Sequence, residues 1–244
     1  MHPSYKGVYK PEESKFYQIS RSKIEDFVKC PKCFYLDRRL GVGRPSMPGY
    51  TLNSAVDELL KKEFDLLRKN GQTHELMEQY GIDAIPYQDD RMDTWRANFT
   101  GISVDHEPTK FHVFGAVDDV WINPAGEFYI VDYKSTSTQK EISLEDQYKQ
   151  GYKRQMDFYQ WLFRQNGFKV SNRGFFVFAN ADKNLPAFDG KLNFKMTIVE
   201  HTGDDSWVED TILKAHECLN SETIPNSNPD CEFCNYRHAS HKFD

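Results

Sequence analysis

An α/β fold, a mixed central β-sheet flanked by α-helices, is predicted by three features of the sequence. From Lys110 onward the apolar pattern takes on strand character in four segments rich in β-branched and aromatic residues: "KFHVFGAVDDVWI", "EFYIVDYKST", "GFFVFAN" and "LNFKMTIVEHT". Between the second and third lies "SLEDQYKQGYKRQMDFYQWLFRQNG", whose Tyr148, Tyr152, Gln155, Tyr159 and Leu162 recur at three- and four-residue steps, as on one face of a helix. Other helical patterns precede and follow the strands, and the order strand, strand, helix, strand, strand suits a sheet with helices on its faces.

Taken in order, residues 1–15 are polar and predict a loose N-terminal segment, and residues 16–244 a single domain. "ISRSKIEDFVKC" opens the domain as a short helix. Ser20 or Ser22 offers an N-cap, Glu25 stands three after Ser22 as in a capping box, and Ile24, Phe27 and Val28 share a face; the helix ends near Cys30, before Pro31. "LNSAVDELLKKEFDLLRKNG" is the next helix, with Val56, Leu59, Leu60, Phe64 and Leu67 as its apolar stripe and Gly71 closing it. Asn53 lies one turn before Val56, on the same side. Residues 72–110 are polar and interrupted, an irregular insertion in which "MDTWRANFTGI" suits a short helix or a strand. After the strands, "DSWVEDTILKAHECLN" is a last helix before a cysteine-bearing tail over 225–244; that tail and the opening helix make an N- and C-terminal cysteine-bearing helical subregion.

With 39% hydrophobic and 28% charged residues the chain has the composition of a folded soluble protein, and no apolar run approaches the roughly 18 residues that span a membrane. Its first residues lack the apolar core of a signal peptide, so no membrane partner and a cytoplasmic, reducing location are the default expectations. A net charge of −6 argues against a uniformly basic nucleic-acid-binding coat, because phosphate binding is driven by Lys and Arg with release of counterions. Local basic clusters remain, at Lys29, Lys32, Arg38, Arg39 and Arg44 and at Lys149, Lys153 and Arg154; each also suits an ordinary solvated helix face.

The stretch "GAVDDVWINPAGEFYIVDYKSTS", Gly115 to Ser137, sets Asp118, Asp132 and Lys134 in otherwise apolar strands, where ionised groups are costly unless paired or bound to a metal. A three-residue loop of Pro124, Ala125 and Gly126 puts Pro at the second position of a type I turn and Gly at the left-handed position after it, which pairs Asn123 with Glu127. Counting outward in that register sets Asp118 opposite Asp132, with Lys134 on the face of Asp132 and Asp119 on the other face. Two opposed carboxylates repel. A divalent cation that prefers hard oxygen ligands, Mg²⁺ or Mn²⁺, reverses the sign. Lys134, its pKa lowered by partial burial, would then orient or deprotonate an attacking water. The bland alternative is a hairpin with both aspartates in solvent and Lys134 paired to one of them.

These residues and their surroundings resemble the PD-(D/E)XK nuclease superfamily, in particular its RecB-like branch, which includes the CRISPR adaptation exonucleases and the nuclease domains of recombination helicases. "SRSKIEDFVKCPKCFYL" is similar to the branch's opening helix, "GAVDD" to its Gly-x-x-Asp strand, "VDYK" to its Asp-x-Lys strand, "QMDFY" to its Gln-x-x-x-Tyr helix and "PDCEFCNYR" to its closing cysteine segment, in the family's order from about residue 20 to 240. The resemblance implies a restriction-endonuclease-like fold, Asp118 and Asp132 as metal ligands with the Tyr133 backbone carbonyl as a further one, and Lys134 as the catalytic lysine. It also implies that Gln155 and Tyr159 contact substrate or position Lys134. One position departs from the pattern: where the branch often has a histidine ligand in "Gly-x-x-x-His", "GYTLN" supplies Asn53, whose amide oxygen is a weaker donor.

Four of the five cysteines form two C-x-x-C pairs, Cys30 with Cys33 and Cys231 with Cys234, which in a reducing compartment read as a four-thiolate metal site rather than as disulfides. One ion shared between the pairs would staple the two ends of the domain. The branch's iron–sulfur cluster takes one cysteine from the opening helix and three from the tail. Cys30, Cys231 and Cys234 match, Ser240 stands where the fourth is expected, and Cys33 would replace it. A tetrahedral zinc site suits the two pairs equally well, so zinc and an iron–sulfur cluster both stand, beside the plainer alternative of unliganded thiols. Cys218 lies on an apolar helix face and reads as packing.

The expected function is a metal-dependent DNA nuclease, exonuclease-like on single-stranded ends. The absence of a "GxxxxGK[ST]" motif leaves any helicase or recombination or CRISPR-type partner a separate chain. The alternative from another class is a catalytically weakened nucleic-acid-binding module of the same fold, with Asn53 as the mark of a decayed site.

Overall fold

The computed structural model describes residues 7–45 and 48–243. Residues 1–6 of the expected loose N-terminal segment lie outside the described residues, and 7–15 are turns and coil. The chain falls into two compact units built from interleaved segments. One comprises Met1–Pro48, Ser103–Phe114 and Ser206–Asp244, the other Gly49–Ile102 and Gly115–Asp205.

The first unit carries a three-stranded sheet in the order β1 (Tyr17–Ser20), β4 (Phe111–Gly115), β3 (Ile102–His106), with β1 parallel to β4. Helices α1 (Arg21–Lys29), α2 (Pro31–Arg38) and α7 (Ser206–Asn220) pack together beside it, and α8 (Glu232–Ser240) follows. Ser20 is the N-cap of α1, although its hydroxyl meets Ser22 Oγ at 2.8 Å and makes no cap bond. Cys30, in extended conformation, ends α1 and begins α2, with Pro31 at its first turn. The sequence reading used Pro31 only as a stop. The missing N–H that ends one helix is harmless in the first turn of the next, so one residue does both. Helix α7 buries Val208, Ile212, Ala215 and Leu219, a stripe at helical spacing.

The second unit is a five-stranded mixed sheet in the order β2 (Ile85–Pro86), β5 (Asp119–Ile122), β6 (Phe128–Thr136), β7 (Arg173–Ala181), β8 (Phe194–Thr202). Only β6 and β7 are parallel, and the crossover between them is α6 (Gln150–Gln165). Helix α3 (Thr51–Asn70) covers the face of Val131, Tyr133, Phe175 and Val177 with Leu60 and Phe64. Helix α6 lies on the other face, where Tyr152 meets Phe176 and Gly174 leaves room for Met156. With both faces covered, residues 128–133 of β6 are buried without interruption. The architecture is the expected α/β one, consistent with a restriction-endonuclease-like fold.

Three expectations change in detail. "KFHVFGAVDDVWI" is two strands in different sheets, broken after Gly115, where a Cβ would come within 2.7 Å of the Tyr159 ring; only glycine lets the backbone run this close. The buried stripe of α3 runs Leu60, Phe64, Arg68, with Leu59 exposed, because a buried carboxylate awaits the arginine. The irregular insertion contains α4 (Glu75–Gln79), β2, α5 (Met92–Arg96) and β3, elements too short to show a period.

Candidate active site

The hairpin turn sets the geometry of the site. Asn123 N–H donates to the Glu127 carbonyl at 3.1 Å and Gly126 N–H to the Asn123 carbonyl at 2.9 Å, while Gly126 takes φ of 73°, as the three-residue loop requires. The ladder then pairs Ile122 with Phe128, Trp121 with Tyr129, Val120 with Ile130 and Asp119 with Val131. One further step places Asp118, just before β5, opposite Asp132. There the Asp118 side chain takes over from the backbone: its Oδ2 accepts the Tyr133 N–H at 2.9 Å. The N–H and C=O of a strand residue point toward the same neighbour, so the Tyr133 carbonyl faces the side on which Asp118 sits.

Asp132 is fully buried and ion-paired with Lys134, on the face covered by α6. The ammonium of Lys134 also lies 3.4 Å from Gln155 Oε1 and 4.6 Å from the centre of the Tyr152 ring, and Gln155 Nε2 donates to the Tyr159 hydroxyl at 3.3 Å. Gln155 thus stands beside Lys134 with Tyr159 behind it, both on one face of α6. Burial alone would lower the Lys134 pKa, as the sequence predicts, but the charges of Asp132 and Asp118 outweigh it and the pKa is raised. Lys134 is held as a cation beside the carboxylates.

An open pocket of about 380 Å³ gathers Asn53, Asp57, Asp118, Lys134 and the aromatic rings of Tyr50 and Tyr152. Asn53, Asp57 and Lys61 are four residues apart on α3 and share one face of it. Lys61 Nζ lies 2.6 Å from Asp57 and 3.2 Å from Asp118. Burial and the neighbouring charge of Asp118 push the Asp57 carboxyl above its usual value; burial works against Lys61, yet Asp118 and Asp57 raise it. Asp57 and Lys61 escaped the sequence reading although the four-residue spacing from Asn53 was visible. Oxygen donors on hard carboxylates, an amide and a carbonyl are the set that suits Mg²⁺ or Mn²⁺.

Asp119 points to the opposite face, as the register requires, and anchors a buried network there. Its carboxylate accepts from the Val120 N–H at 2.8 Å and the Tyr133 hydroxyl at 2.6 Å, pairs with Arg68, and lies 3.3 Å from Arg96. Arg68 donates to the Tyr87 carbonyl at 2.7 Å and pairs with Asp65. Arg96 holds Asp65 at 2.9 and 3.0 Å and donates from Nε to the Asp118 carbonyl at 2.9 Å. Burial and the adjacent Asp119 push the Tyr133 phenol well above its usual pKa, which keeps it a donor. This network grips the backbone of Asp118 from behind the pocket. Its members come from α3, α5 and two strands, and no local motif links them.

The basic clusters are largely ion-paired within the chain: Arg38 with Asp37, Arg44 with Asp26, Lys29 with Glu25, Lys149 with Asp146 and Lys153 with Glu145.

In the first unit, Cys30, Cys33, Cys231 and Cys234 converge, their sulfur atoms all within 4.8 Å of one another. Cys30 and Cys231 are the N-caps of α2 and α8, so each C-x-x-C pair straddles a helix start. Burial raises the Cys30 thiol, but hydrogen bonds from the backbone of Cys33 and Asn228 and from the thiols of Cys231 and Cys33 bring it down to about 7. Burial raises Cys33, and burial with the neighbouring sulfurs raises Cys234. The four thiols form a group that could hold a metal ion. Cys218 lies outside the group, and burial pushes it up to about 11. Among the described residues no helix is long and apolar enough to cross a membrane.

In comparisons with known proteins, residues 51–239, more than half of the chain, match the model of the PD-(D/E)XK nuclease superfamily. No curated protein matches the chain. Among solved structures, one described as "Crystal structure of SSO0001" aligns at 14% identity with a TM-score of 0.41, covering 93% of this chain and 86% of that one.

Proposed function

The chain belongs to the PD-(D/E)XK nuclease superfamily, and from that premise we propose that it is a Mg²⁺- or Mn²⁺-dependent deoxyribonuclease acting on single-stranded ends. The observation that carries this is the hairpin register, paired through Asp119 and Val131, beside which the Asp118 carboxylate accepts the Tyr133 N–H and Lys134 pairs with Asp132 next to Gln155. Asp118, Asp132 and the Tyr133 carbonyl would hold the ion, and Asn53 would add an amide oxygen from α3. A divalent ion so held supplies positive charge to the phosphodiester and makes water more acidic.

The chain's own residues do the rest. Lys134, kept cationic by two carboxylates, offers positive charge to the phosphate and a hydrogen-bonding group that orients the attacking water; Gln155 and Tyr159 limit its excursions. The exposed Tyr50 and Tyr148 and the pocket-lining Tyr152 offer ring faces on which unpaired bases stack, which favours single-stranded ends over an intact duplex. The ordered motifs favour the RecB-like branch, with any helicase or recombination or CRISPR-type partner a separate chain, and a cytoplasmic setting keeps the thiols reduced.

The rival is a weakened nucleic-acid-binding module, favoured by Asn53 in the histidine's place. Labelled single- and double-stranded DNA, linear and circular, incubated with the protein and Mg²⁺ or Mn²⁺ beside Asp132→Ala and Lys134→Ala decides between them. Cleavage of linear single strands that both variants lose is expected. Wild-type cleavage no greater than that of the variants sinks the enzyme; cleavage of circles makes it an endonuclease.

A further inference from the structure

The sulfur spacings in the four-cysteine group discriminate between its two candidate metals. Cys33 Sγ lies 3.5 Å from Cys234 Sγ and 3.6 Å from Cys231 Sγ, Cys30 Sγ lies 3.8 Å from Cys234 Sγ, and no pair exceeds 4.8 Å. A tetrahedral zinc ion with bonds of about 2.3 Å places its sulfurs about 3.8 Å apart, the edge of a tetrahedron of that radius. In a [4Fe–4S] cube each thiolate binds a different iron, and the cysteine sulfurs then stand roughly 6 Å apart. A [2Fe–2S] cluster needs two close pairs well separated from each other, whereas Cys33 here is close to both tail cysteines and Cys234 to both N-terminal ones.

We propose that Cys30, Cys33, Cys231 and Cys234 hold one tetrahedral zinc ion, and that the iron–sulfur cluster implied by the resemblance does not fit this chain. The surroundings agree with a single ion. Ser240, where a third tail cysteine would serve a cluster, is turned into its own helix, its hydroxyl donating to the Arg237 carbonyl at 3.0 Å. Cys33 fills the ligand set instead, in the first turn of α2 with Cys30 as its N-cap, the arrangement of a C-x-x-C knuckle around one ion. Four thiolates on a dication leave a charge of about −2. Arg44 stands near that charge, 3.1 Å from Asp26 and 4.7 Å from the centre of the Phe233 ring. Zinc has no redox chemistry, so the ion's task is to tie the opening helices to the tail.

The test uses the full chain, purified without chelators both in air and under nitrogen, with elemental analysis, a labile-sulfide assay and a visible spectrum. One zinc per chain, no labile sulfide and no visible band in either preparation are expected. Cys33→Ser should lose the zinc; because that variant can fail to fold, the wild-type protein is also reconstituted with Co²⁺, whose visible bands report four-thiolate tetrahedral ligation. Iron with labile sulfide in the anaerobic preparation overturns the proposal. So does a chain that takes up neither zinc nor cobalt, or cobalt bands of another geometry. Cleavage activity enters none of these readouts.

Discussion

Asp119→Asn separates a network that positions the active site from one that merely fills space. Asp119 is fully buried, and four groups meet its carboxylate: the Val120 amide, the Tyr133 hydroxyl, Arg68 and Arg96. Asparagine keeps the volume and one acceptor oxygen but removes the charge and turns an amide N–H₂ toward guanidinium groups. Arg68, itself buried, and Arg96 are left to share Asp65, whose side chain is 36% exposed. Removing one partner of a buried ion pair leaves the other charge uncompensated, at a cost of about 3–5 kcal/mol. At this chain length that is a fall in melting midpoint of roughly 6–20 °C. Tyr133→Phe deletes only the hydroxyl donor and leaves Asp119 its arginines, so it should cost about 1–2 kcal/mol. The double variant should cost less than the sum, since the two side chains touch.

Thermal and urea unfolding read these values, and cleavage measured well below every midpoint reads the position of Asp118, whose carbonyl Arg96 holds. Asp119→Asn should slow cleavage even where it is fully folded. A midpoint within about 2 °C of the parent, under 1 kcal/mol for a chain of this length, refutes the buried-charge reasoning. A normal midpoint loss with undiminished cleavage refutes the positioning role alone.

Gly115→Ala should lower the midpoint by about 1–3 kcal/mol of stability and slow cleavage as well, because the added methyl meets Tyr159 at 2.7 Å and Leu162 at 3.3 Å and displaces the ring that backs Gln155; wild-type behaviour in both assays contradicts the close approach. Gln155→Ala should reduce cleavage by roughly 10–10²-fold with little change in midpoint, through loss of alignment of Lys134; a loss of stability without loss of rate would make it a packing residue. Burial holds His216 below its ordinary pKa of 6.5, so the unfolded chain binds the proton more readily. The stability tied to the neutral ring is therefore present above pH 6.5 and lost as pH falls below it. His216→Phe, which keeps the ring contacts to Tyr9 and Phe111, should flatten the pH profile of stability on that acid side, and an unaltered profile counts against the assignment.

Much of the site was legible because its geometry is local. Alternation along β6 and the chemistry of the Pro124-Ala125-Gly126 turn suffice to give the hairpin register up to Asp119 and Val131, and helical spacing puts Gln155 and Tyr159 on one face of α6, while their place beside Lys134 came only with the family resemblance. What stayed hidden has partners far apart in sequence. Arg68 lies at the polar end of α3 and Arg96 in a segment with no visible period, so neither could be matched to Asp119 before the fold joined them. The Lys134 pKa was misjudged for a related reason: burial can be inferred from an apolar strand, whereas the balance between burial and two nearby carboxylates needs the arrangement itself.

The adjacent pair Asp118 and Asp119 shows why register is the decisive quantity. Neighbouring strand residues face opposite sides, so one aspartate enters the pocket while the other is buried among arginines under α3. A slip of one residue would exchange them. Asp119 would then face the pocket, and Asp118 would have to find Arg68 and the Tyr133 hydroxyl from a position just before the strand. The buried network therefore does more than offset a charge. Because only Asp119 can satisfy it, it disfavours the slipped pairing and adds a second determinant of register, independent of the turn. Lengthening the Pro124-Ala125-Gly126 loop by one residue sets the two determinants against each other. If the network holds the register, the insertion bulges outward and cleavage survives; if the turn alone sets it, the strand slips, Asp119 loses its arginines and both cleavage and stability are lost.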